Sequence, residues 1–522
     1  MIFSLPAQGH INPTLQLAKN LARAGARVTF ATTTVGLSRM RNRPTVDGLF
    51  FESFTDGNDD GGDTSSKTTT PDDYMAKFKQ AGPGNLARLL DTCSSQGHPI
   101  TFLVYTIMLP WVADVARAVH VPSAFLVIQC TAAFAIYHHF FNPNNGVHKD
   151  GIIDINDPSF SLKLPGLPLL SNKEIPSFLI PSDHLNSLMT GTLRDHMEVL
   201  EKDPNPLVLI NTFEALEEKQ LKIFPNMNII PIGPLVPSAF SDGNDATDTS
   251  FGCDMFGKST DYLSWLDSKA ERSVVYVSFG SLAEISREQK EEVLEALMGT
   301  SRPFLWVIRS WESESEEAKA MKDKGVEERG LVVPWCTQTE VLFHKSIGCF
   351  LTHCGWNSTL ESLVASMPIV ACPHFSDQFT NAKLVEEVWG TGLWARANEK
   401  KVVEREEIKR CLEIVMGGGE RGEEIRKNAN KWASLAVEAM KEEGRKPLPI
   451  SRYAKIAAFL SRFDPYHAKP MWYPVYSLFF SSLSLTPLEV KISHPSMEMM
   501  THQHRTQGFL SPNQYSYKLA LS

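Results

Sequence analysis

Residues 335–378 read WCTQTEVLFHKSIGCFLTHCGWNSTLESLVASMPIVACPHFSDQ. Within this stretch the apolar run Ile347 to Thr352 predicts a buried strand, and Ser358 to Ser366 predicts a helix. The strand ends at Thr352-His353, and the short loop that follows, Cys354 to Asn357, contains a glycine. In such a strand-loop-helix arrangement, the free N–H groups at the helix start and the positive end of the helix dipole point toward the same place. The stretch therefore predicts an anion site that suits a diphosphate.

Short apolar runs alternate with amphipathic segments on both sides of this stretch. One amphipathic segment opens at Pro13, because a proline at a helix start loses no hydrogen bond, and it closes at Gly25. Strand followed by helix, repeated, predicts an α/β fold of doubly wound domains. The predicted strands are Ile2–Leu5, Val28–Ala31, Leu49–Phe51, Phe102–Tyr105, Ala124–Ile128, Leu207–Ile210, Ile229–Ile232, Val274–Phe279, Phe304–Ile308, Leu331–Val333, Ile347–Thr352, Ile369–Cys372 and Leu393–Ala395.

The length of the chain predicts two domains. Its 522 residues exceed what one hydrophobic core usually organises. A polar stretch after Leu235 has the composition of a linker, so we place an N-terminal domain at residues 1–235, a linker at 236–257 and a C-terminal domain at 258–445. Residues 463–522 lack the alternation and predict an appendage without a core of its own.

Composition excludes several classes of function. A net charge of −9 with no clustered basic surface argues against a nucleic-acid partner. The most apolar stretch, Pro122 to Phe141, is interrupted by polar residues and predicts a strand and a helix rather than a membrane span. The eight cysteines show no framework spacing and no signal peptide is evident, so we expect a reduced, cytoplasmic location.

Several polar and aromatic residues have structural alternatives when they are considered alone. Ser358 and Glu361 match a capping box, in which the glutamate returns to the backbone. Trp335 is also compatible with a core position, and Asp377 with a helix N-cap. His10 lies between the first predicted strand and the first predicted helix, where a histidine is often structural.

Residues 335–378 resemble the signature box of plant family 1 UDP-glycosyltransferases, and the resemblance extends over about residues 1–462. It implies the two-domain GT-B fold, two Rossmann-like domains facing each other across a cleft, with UDP-sugar bound by the second domain. It also implies a C-terminal helix at 446–462 that packs back on the N-terminal domain. The segment Val104 to Trp111 is similar to the branch that contains anthocyanin 5-O-glucosyltransferases.

The same resemblance implies which residues hold a UDP-glucose co-substrate, without a metal cofactor. The implied contacts are Trp335 and Cys336 to uracil, Gln338 and Glu361 to ribose, Ser281, His353, Trp356, Asn357 and Ser358 around the diphosphate, and Asp377 and Gln378 to the sugar. A closing glutamine in this family usually goes with glucose. The other partner implied is a small lipophilic acceptor, and we expect a monomer.

The resemblance also implies that His10 is the general base of an inverting transfer. An imidazole with a pKa near 6.5 is mostly neutral at cytosolic pH and accepts a proton from the acceptor. Many relatives place an aspartate where this chain has Thr106. An adjacent carboxylate raises the pKa of a histidine by about 1–3 units. Because Thr106 supplies no such charge, His10 should be a weaker base than a histidine paired with an aspartate. We therefore expect an acceptor that ionises easily, such as a flavonoid phenol or a carboxylic acid.

Three other interpretations were weighed. A metal-dependent glycosyltransferase needs an Asp-x-Asp pair at a strand end, which no predicted strand has. A zinc site built from Cys349, His353, Cys354 and Cys372 lacks the paired CxxC spacing, which favours buried thiols. A non-catalytic UDP-sugar-binding protein is the third. It is suggested by the short start before His10, by Ser366 in place of a usual glycine, and by the tail.

Overall fold

The computed structural model describes residues 1–40, 42–57, 71–141, 157–180, 184–240, 247–253, 262–282, 285–309, 321, 323–441 and 456. The chain divides into two compact units, Met1–Tyr466 and His467–Ser522, and every described residue belongs to the first. The predicted tail, most of the predicted helix at 446–462 and part of the predicted linker lie outside the described residues. Ile456, from that helix, is buried in a cluster that includes N-terminal strand residues.

The first half of the chain folds into a parallel sheet with helices between its strands. The strands are β1 Ile2–Phe3, β2 Val28–Thr33, β3 Leu49–Phe54, β4 Leu103–Thr106, β5 Ser123–Val127, β6 Ser161–Leu162, β7 Leu170–Ser171, β8 Leu207–Ile210 and β9 Asn228–Pro231. The helices are α1 Gln8–Arg23, α2 Thr34–Arg39, α3 Pro71–Ser95, α4 Trp111–Ala118, α5 Thr131–Phe141, α6 His184–Lys202 and α7 Glu214–Leu221. Seven strands pair in the order β3-β2-β1-β4-β5-β8-β9. The short strands β6 and β7, which were not predicted, form a separate antiparallel pair.

The second half repeats this design. Its strands are β10 Val274–Ser278, β11 Phe304–Val307, β12 Gly330–Val333, β13 Ile347–Thr352, β14 Ile369–Ala371 and β15 Gly392–Trp394. Its helices are α8 Tyr262–Asp267, α9 Arg287–Gly299, α10 Val326–Arg329, α11 Gln338–Leu342, α12 Trp356–Val364, α13 Gln378–Lys383, α14 Arg405–Met416 and α15 Glu420–Lys441. The six strands pair in the order β12-β11-β10-β13-β14-β15.

Most of the strands are largely buried, which explains their mainly apolar sequences. Every residue of β2 and of β10 is buried, as expected for parallel strands covered by helices on both sides. All thirteen predicted strands are present, with ends that differ by a few residues. The predicted α/β class, with two doubly wound parallel sheets, is confirmed.

Each sheet has one point at which the strand order reverses, and a crevice at such a point suits a ligand. In the first sheet β1 pairs with β4, with Phe3 opposite Tyr105, and the chain order reverses at this pair. In the second sheet β10 pairs with β13, with Ser278 opposite Thr352. Ligands of open α/β sheets bind beyond the carboxyl ends of the strands at such reversal points. The residues after β1, β4, β10 and β13 are therefore the first candidates for a site.

Two helices begin earlier than predicted. Helix α1 begins at Gln8 rather than at Pro13, so the proline lies inside the helix and His10 lies in its first turn. Helix α12 begins at Trp356 rather than at Ser358, with Gly355 in the N-cap position. The sequence rules for helix starts consider only local hydrogen bonds. At both starts the structure adds contacts from distant residues, described below.

Ser366 occupies the left-handed region of backbone space, with φ 55°. The backbone N–H of Met367 donates to the carbonyl of Ser362 at 2.8 Å, so α12 ends with the turn that usually requires glycine after a helix. A Cβ in this conformation is strained. The usual glycine is thus explained by backbone geometry, and serine is tolerated there.

Replacing Ser366 by glycine is expected to raise the free energy of unfolding by about 0.5–1 kcal/mol, because the strain is relieved. Part of the gain is offset by the lost hydrogen bond from Ser366 Oγ to Asn430, at 2.5 Å on an exposed surface. Urea unfolding measures the change. Ala365→Gly is the matched control, since φ is −77° at Ala365 and glycine there should destabilise. An equal response of both variants would contradict the explanation.

Candidate active site

His10 and Thr106 meet at the reversal point of the first sheet. The Nδ1 atom of His10 lies 3.3 Å from the Oγ1 atom of Thr106, which ends β4 and is fully buried. Thr14 Oγ1 donates to the His10 carbonyl at 2.7 Å. Burial lowers the pKa of His10 from 6.5 to about 4. The imidazole is therefore neutral at physiological pH, and its Nδ1 edge is held by a threonine.

Asp114 is the nearest carboxylate along the chain after Thr106, and it serves elsewhere. It lies on the exposed face of α4 and pairs with Arg117 at 2.9 Å. Asp114 therefore has a surface role. The group beside the Nδ1 atom of His10 is a neutral hydroxyl, that of Thr106.

Glu361 is a buried carboxylate in the loop-helix region of the second sheet. It is 3% exposed, and Gln338 Nε2 donates both to its Oε2 atom at 2.8 Å and to Ser358 Oγ at 3.0 Å. Burial raises the pKa of Glu361 to about 7, and the hydrogen bond from Gln338 acts in the opposite direction. The capping-box alternative is wrong, because α12 begins at Trp356 and the carboxylate pairs with a residue of α11. Three predicted donor ligands thus share one hydrogen-bonded cluster.

Trp335 and Cys336 follow the end of β12. Trp335 is partly exposed, whereas Trp306 of the neighbouring strand is 1% exposed in the core. Cys336 is buried, and its Sγ atom lies 3.5 Å from the hydroxyl of Tyr276. The cysteine side chain therefore points into the protein, so a nucleobase would contact its backbone.

The imidazole of His353 lies between two glycines. A Cβ added at Gly280 would come within 2.6 Å of His353 Nε2, and one added at Gly355 within 2.5 Å. Both glycines are needed for this close approach, and φ is +80° at Gly280. Burial lowers the pKa of His353 to about 3, so the ring is neutral and carries one N–H. Ser281 directly follows Gly280, which brings it to the same reversal point.

Trp356 and Asn357 direct their side chains across to the N-terminal half. The indole N–H of Trp356 donates to the carbonyl of Asn211 at 2.8 Å, and Asn357 Nδ2 donates to the carbonyl of Gly9 at 2.9 Å. Both residues were predicted to surround the diphosphate. Their side chains are engaged elsewhere, so an anion in front of α12 would meet their backbone N–H groups.

Asp377 precedes α13 without capping it. Its carboxylate accepts from Asn381 Nδ2 at 2.9 Å and from Ser376 Oγ at 3.1 Å, and no backbone cap is formed by the side chain. The N-cap alternative is therefore wrong. Burial raises the pKa of Asp377. Asn381 also donates to the carbonyl of Cys354 at 3.0 Å, so it joins the sugar end of the predicted site to its diphosphate loop.

Comparison with known proteins connects this geometry to a family. A family model described as UDP-glucoronosyl and UDP-glucosyl transferase matches residues 252–436. The chain is 49% identical over 450 residues to crocetin glucosyltransferase, chloroplastic, of Gardenia jasminoides, which covers 85% of this chain and 94% of the relative. It is 44% identical over 456 residues to anthocyanidin 3-O-glucoside 5-O-glucosyltransferase of Verbena hybrida, covering 85% and 95%.

The chain is a plant family 1 UDP-glycosyltransferase. It is similar to the crystal structure of Os79 from O. sativa in complex with UDP, with a TM-score of 0.75, 34% identity, and coverage of 89% of this chain and 100% of that one. The GT-B fold and the similarity to the anthocyanidin 5-O-glucosyltransferase branch are confirmed. The relatives named here are transferases, so the non-catalytic alternative finds no support.

A cavity of about 370 Å³ in this glycosyltransferase adjoins Gln378 and His353. The side-chain Oε1 atom of Gln378 accepts from the backbone N–H groups of His374 at 2.9 Å and Phe375 at 3.2 Å. His374 also lines the cavity, and its Nε2 atom is buried without a hydrogen-bond partner among the described residues. His374 was not predicted from the sequence as a site residue. The available signal was its place inside the signature stretch, four residues before Gln378.

The described part of the glycosyltransferase contains no group of three or more His, Cys, Asp and Glu side chains placed to hold a metal ion. Cys349, Cys354 and Cys372 are buried, and burial raises the pKa of each thiol. Thiols in such surroundings are unreactive and behave as small apolar residues. Among the described helices, none is long and apolar enough to cross a membrane.

Proposed function

We propose that this enzyme transfers glucose from UDP-glucose, with inversion, to a phenolic hydroxyl or a carboxyl group of a small lipophilic plant metabolite, and that His10 is the general base. One observation supports this most directly. The carbonyl of Gly9, directly before His10, accepts a hydrogen bond at 2.9 Å from Nδ2 of Asn357. Asn357 belongs to the predicted diphosphate-binding loop (the donor loop). The turn that carries His10 is therefore in direct contact with the start of α12.

The pairing of His10 with Thr106 suits a base. With hydrogen on Nδ1, the ring donates to Thr106 Oγ1, which leaves the Nε2 lone pair to accept a proton. The acceptor oxygen, as its proton passes to Nε2, attacks the anomeric carbon from the side opposite UDP. The bond between that carbon and the β-phosphate oxygen breaks, UDP leaves, and the configuration is inverted.

Donor residues act by hydrogen bonding and stacking in this proposal. Glu361 accepts from the ribose hydroxyls, in exchange for part of its contact with Gln338, and Trp335 stacks on uracil. The backbone N–H groups at the start of α12 receive the diphosphate. The side-chain Oε1 atom of Gln378 accepts from backbone N–H groups, so its side-chain Nε2 atom is the group that holds a sugar hydroxyl.

Acceptor choice follows from the weakness of the base. Burial lowers the pKa of His10 to about 4, and Thr106 supplies no charge to raise it. Such a base removes a proton more readily from a phenol, with a pKa of about 10, than from an aliphatic alcohol. The relative from Verbena hybrida is named for an anthocyanidin glucoside, and anthocyanidins are phenols.

An acceptor panel tests the proposal. UDP release from UDP-glucose should be at least about tenfold faster with flavonoid phenols and aromatic carboxylic acids than with aliphatic alcohols of similar size and hydrophobicity. The product from UDP-glucose should be the β-glucoside, and EDTA should leave the rate unchanged. Equal rates with alcohols and phenols would contradict the acceptor assignment, and loss of activity in EDTA would contradict the metal-free mechanism.

Thr106→Asp is expected to strengthen the base. A carboxylate beside Nδ1 raises the pKa of His10 by about 1–3 units, so the acidic limb of the kcat profile moves to higher pH and aliphatic alcohols become better acceptors. Thr106→Asn is the control, because it can accept the same hydrogen bond without charge. The measurement is kcat against pH at saturating UDP-glucose. An equal shift in both variants, or an unmoved limb in Thr106→Asp, would contradict the role of Thr106.

We also propose that the enzyme works as a monomer in the cytoplasm. All eight cysteines lie among the described residues, and all are buried free thiols, which fits a reducing compartment. Sedimentation of the purified protein and imaging of a fluorescent fusion in leaf cells test these two points. A dimer at micromolar concentration, or fluorescence confined to an organelle, would contradict them.

A further inference from the structure

Pro13 leaves one carbonyl of helix α1 without its usual partner. In an α-helix the N–H of residue 13 donates to the carbonyl of residue 9, and proline has no N–H. The carbonyl of Gly9 therefore lacks its intrahelical donor. Gly9 directly precedes His10, so the carbonyl that lacks an intrahelical donor lies next to the backbone of the catalytic residue.

The missing donor comes from the other half of the enzyme. Asn357 Nδ2 donates to the Gly9 carbonyl at 2.9 Å across 348 positions of sequence. Asn357 is the second residue of α12, the helix whose start faces the diphosphate position. Its side-chain nitrogen is thus committed to α1, while its backbone N–H belongs to the anion-binding end of α12.

Other contacts of this turn hold it within the N-terminal half and to the linker. His10 is held by Thr106 at Nδ1 and by Thr14 at its carbonyl. Gln8 Nε2 donates to the carbonyl of Cys253 at 3.0 Å. These three contacts do not reach α12, whereas the bond from Asn357 links the His10 turn to that helix.

We propose that Asn357 is a positioning residue: its amide occupies the carbonyl that Pro13 leaves open and so fixes His10 relative to the anomeric carbon of the donor. This inference rests on the proposed role of His10 as the base. A displacement of about 1 Å between reacting groups lowers a rate by up to about 100-fold. Loss of the bond should therefore lower kcat, whereas UDP, held by backbone N–H groups, Trp335 and Glu361, should bind nearly as before.

The test compares Asn357→Asp, Asn357→Ala, Pro13→Ala and the double variant Pro13→Ala/Asn357→Asp with the wild type. Asn357→Asp keeps the shape of the side chain and removes the donor, and Asn357→Ala removes the donor without adding a charge beside the diphosphate. We expect kcat to fall by about 10- to 100-fold in both, and the Kd of UDP in the uncharged Asn357→Ala to change less than about threefold. Pro13→Ala supplies an intrahelical N–H to Gly9. In that background the aspartate should cause a much smaller further loss of kcat.

Two outcomes would overturn the inference: a rise in the Kd of UDP in Asn357→Ala that matches the fall in kcat, which would assign the side chain to the diphosphate, or full additivity of Pro13→Ala and Asn357→Asp. If Pro13→Ala does not fold, the comparison of kcat with Kd in Asn357→Ala still decides. His10→Ala in the same assay separates the two hypotheses. An active His10→Ala would refute the proposed base, whereas an inactive His10→Ala with additive variants would refute only the role of Asn357.

Discussion

Replacing His10 by alanine is expected to lower kcat by about 10²- to 10⁴-fold, the usual contribution of a general base. The imidazole is the only group of this turn that can accept the acceptor's proton, since Thr106 and Thr14 are hydroxyls engaged at Nδ1 and at the carbonyl. Binding of UDP should be unchanged, because the donor contacts come from the second sheet. Initial rates with a flavonoid acceptor and calorimetric titration of UDP measure the two quantities.

His98→Ala is the matched control for this variant, because His98 is exposed beyond the end of α3 and should leave kcat unaltered. Retention of more than about a tenth of kcat in His10→Ala would assign proton removal to another group. A parallel loss of UDP affinity would instead indicate a misfolded cleft.

Glu361→Gln is expected to make the protein more stable and a poorer UDP binder. Burial raises the pKa of Glu361 from 4.5 to about 7. Between these two values the folded protein holds a proton that the unfolded chain has released, so the free energy of unfolding falls as pH rises through this window. Above pH 7 the ionised carboxylate destabilises the fold by about 3 kcal/mol. Glutamine removes this penalty and still accepts from Gln338.

The gain in stability should be about 1–3 kcal/mol at pH 8 and close to zero at pH 4.5. Affinity for UDP should fall by about 10- to 100-fold, because hydrogen bonds from the ribose hydroxyls to a carboxylate are replaced by bonds to a neutral amide. Thermal unfolding at both pH values, with and without UDP, measures both effects. Glu399→Gln, at an exposed position, is the control. Unchanged UDP affinity would remove Glu361 from the donor site.

The sequence predicted the fold class because most buried strands carry a run of mainly apolar residues and most helices carry an apolar face. It did not predict β6 and β7, since two-residue strands have no periodicity to detect. Strand order is also invisible in the sequence. The pairing of β1 with β4 is what brings His10 to Thr106, and counting along β4 could suggest the partner only by resemblance to a family.

Errors at the two helix starts share a physical cause. Pro13 is a good first residue by local rules, but a donor 348 positions away allows it inside the helix. Glu361 has the spacing of a capping box, but Gln338 of another helix takes its carboxylate. Local patterns describe the bonds that a segment can make by itself. At a site built from two halves of a chain, distant partners replace those bonds.

Three of the bonds that join α12 and α13 to the N-terminal half are directed to main-chain carbonyls. Trp356, Asn357 and Thr380 donate to the carbonyls of Asn211, Gly9 and Glu174. A main-chain carbonyl is present whatever the side chain. The N-terminal half, which binds the sugar acceptor, can therefore change its side chains during evolution and keep its hydrogen bonds to the UDP-binding half. Chimeric enzymes that combine halves from different relatives should therefore retain donor affinity while exchanging acceptor preference.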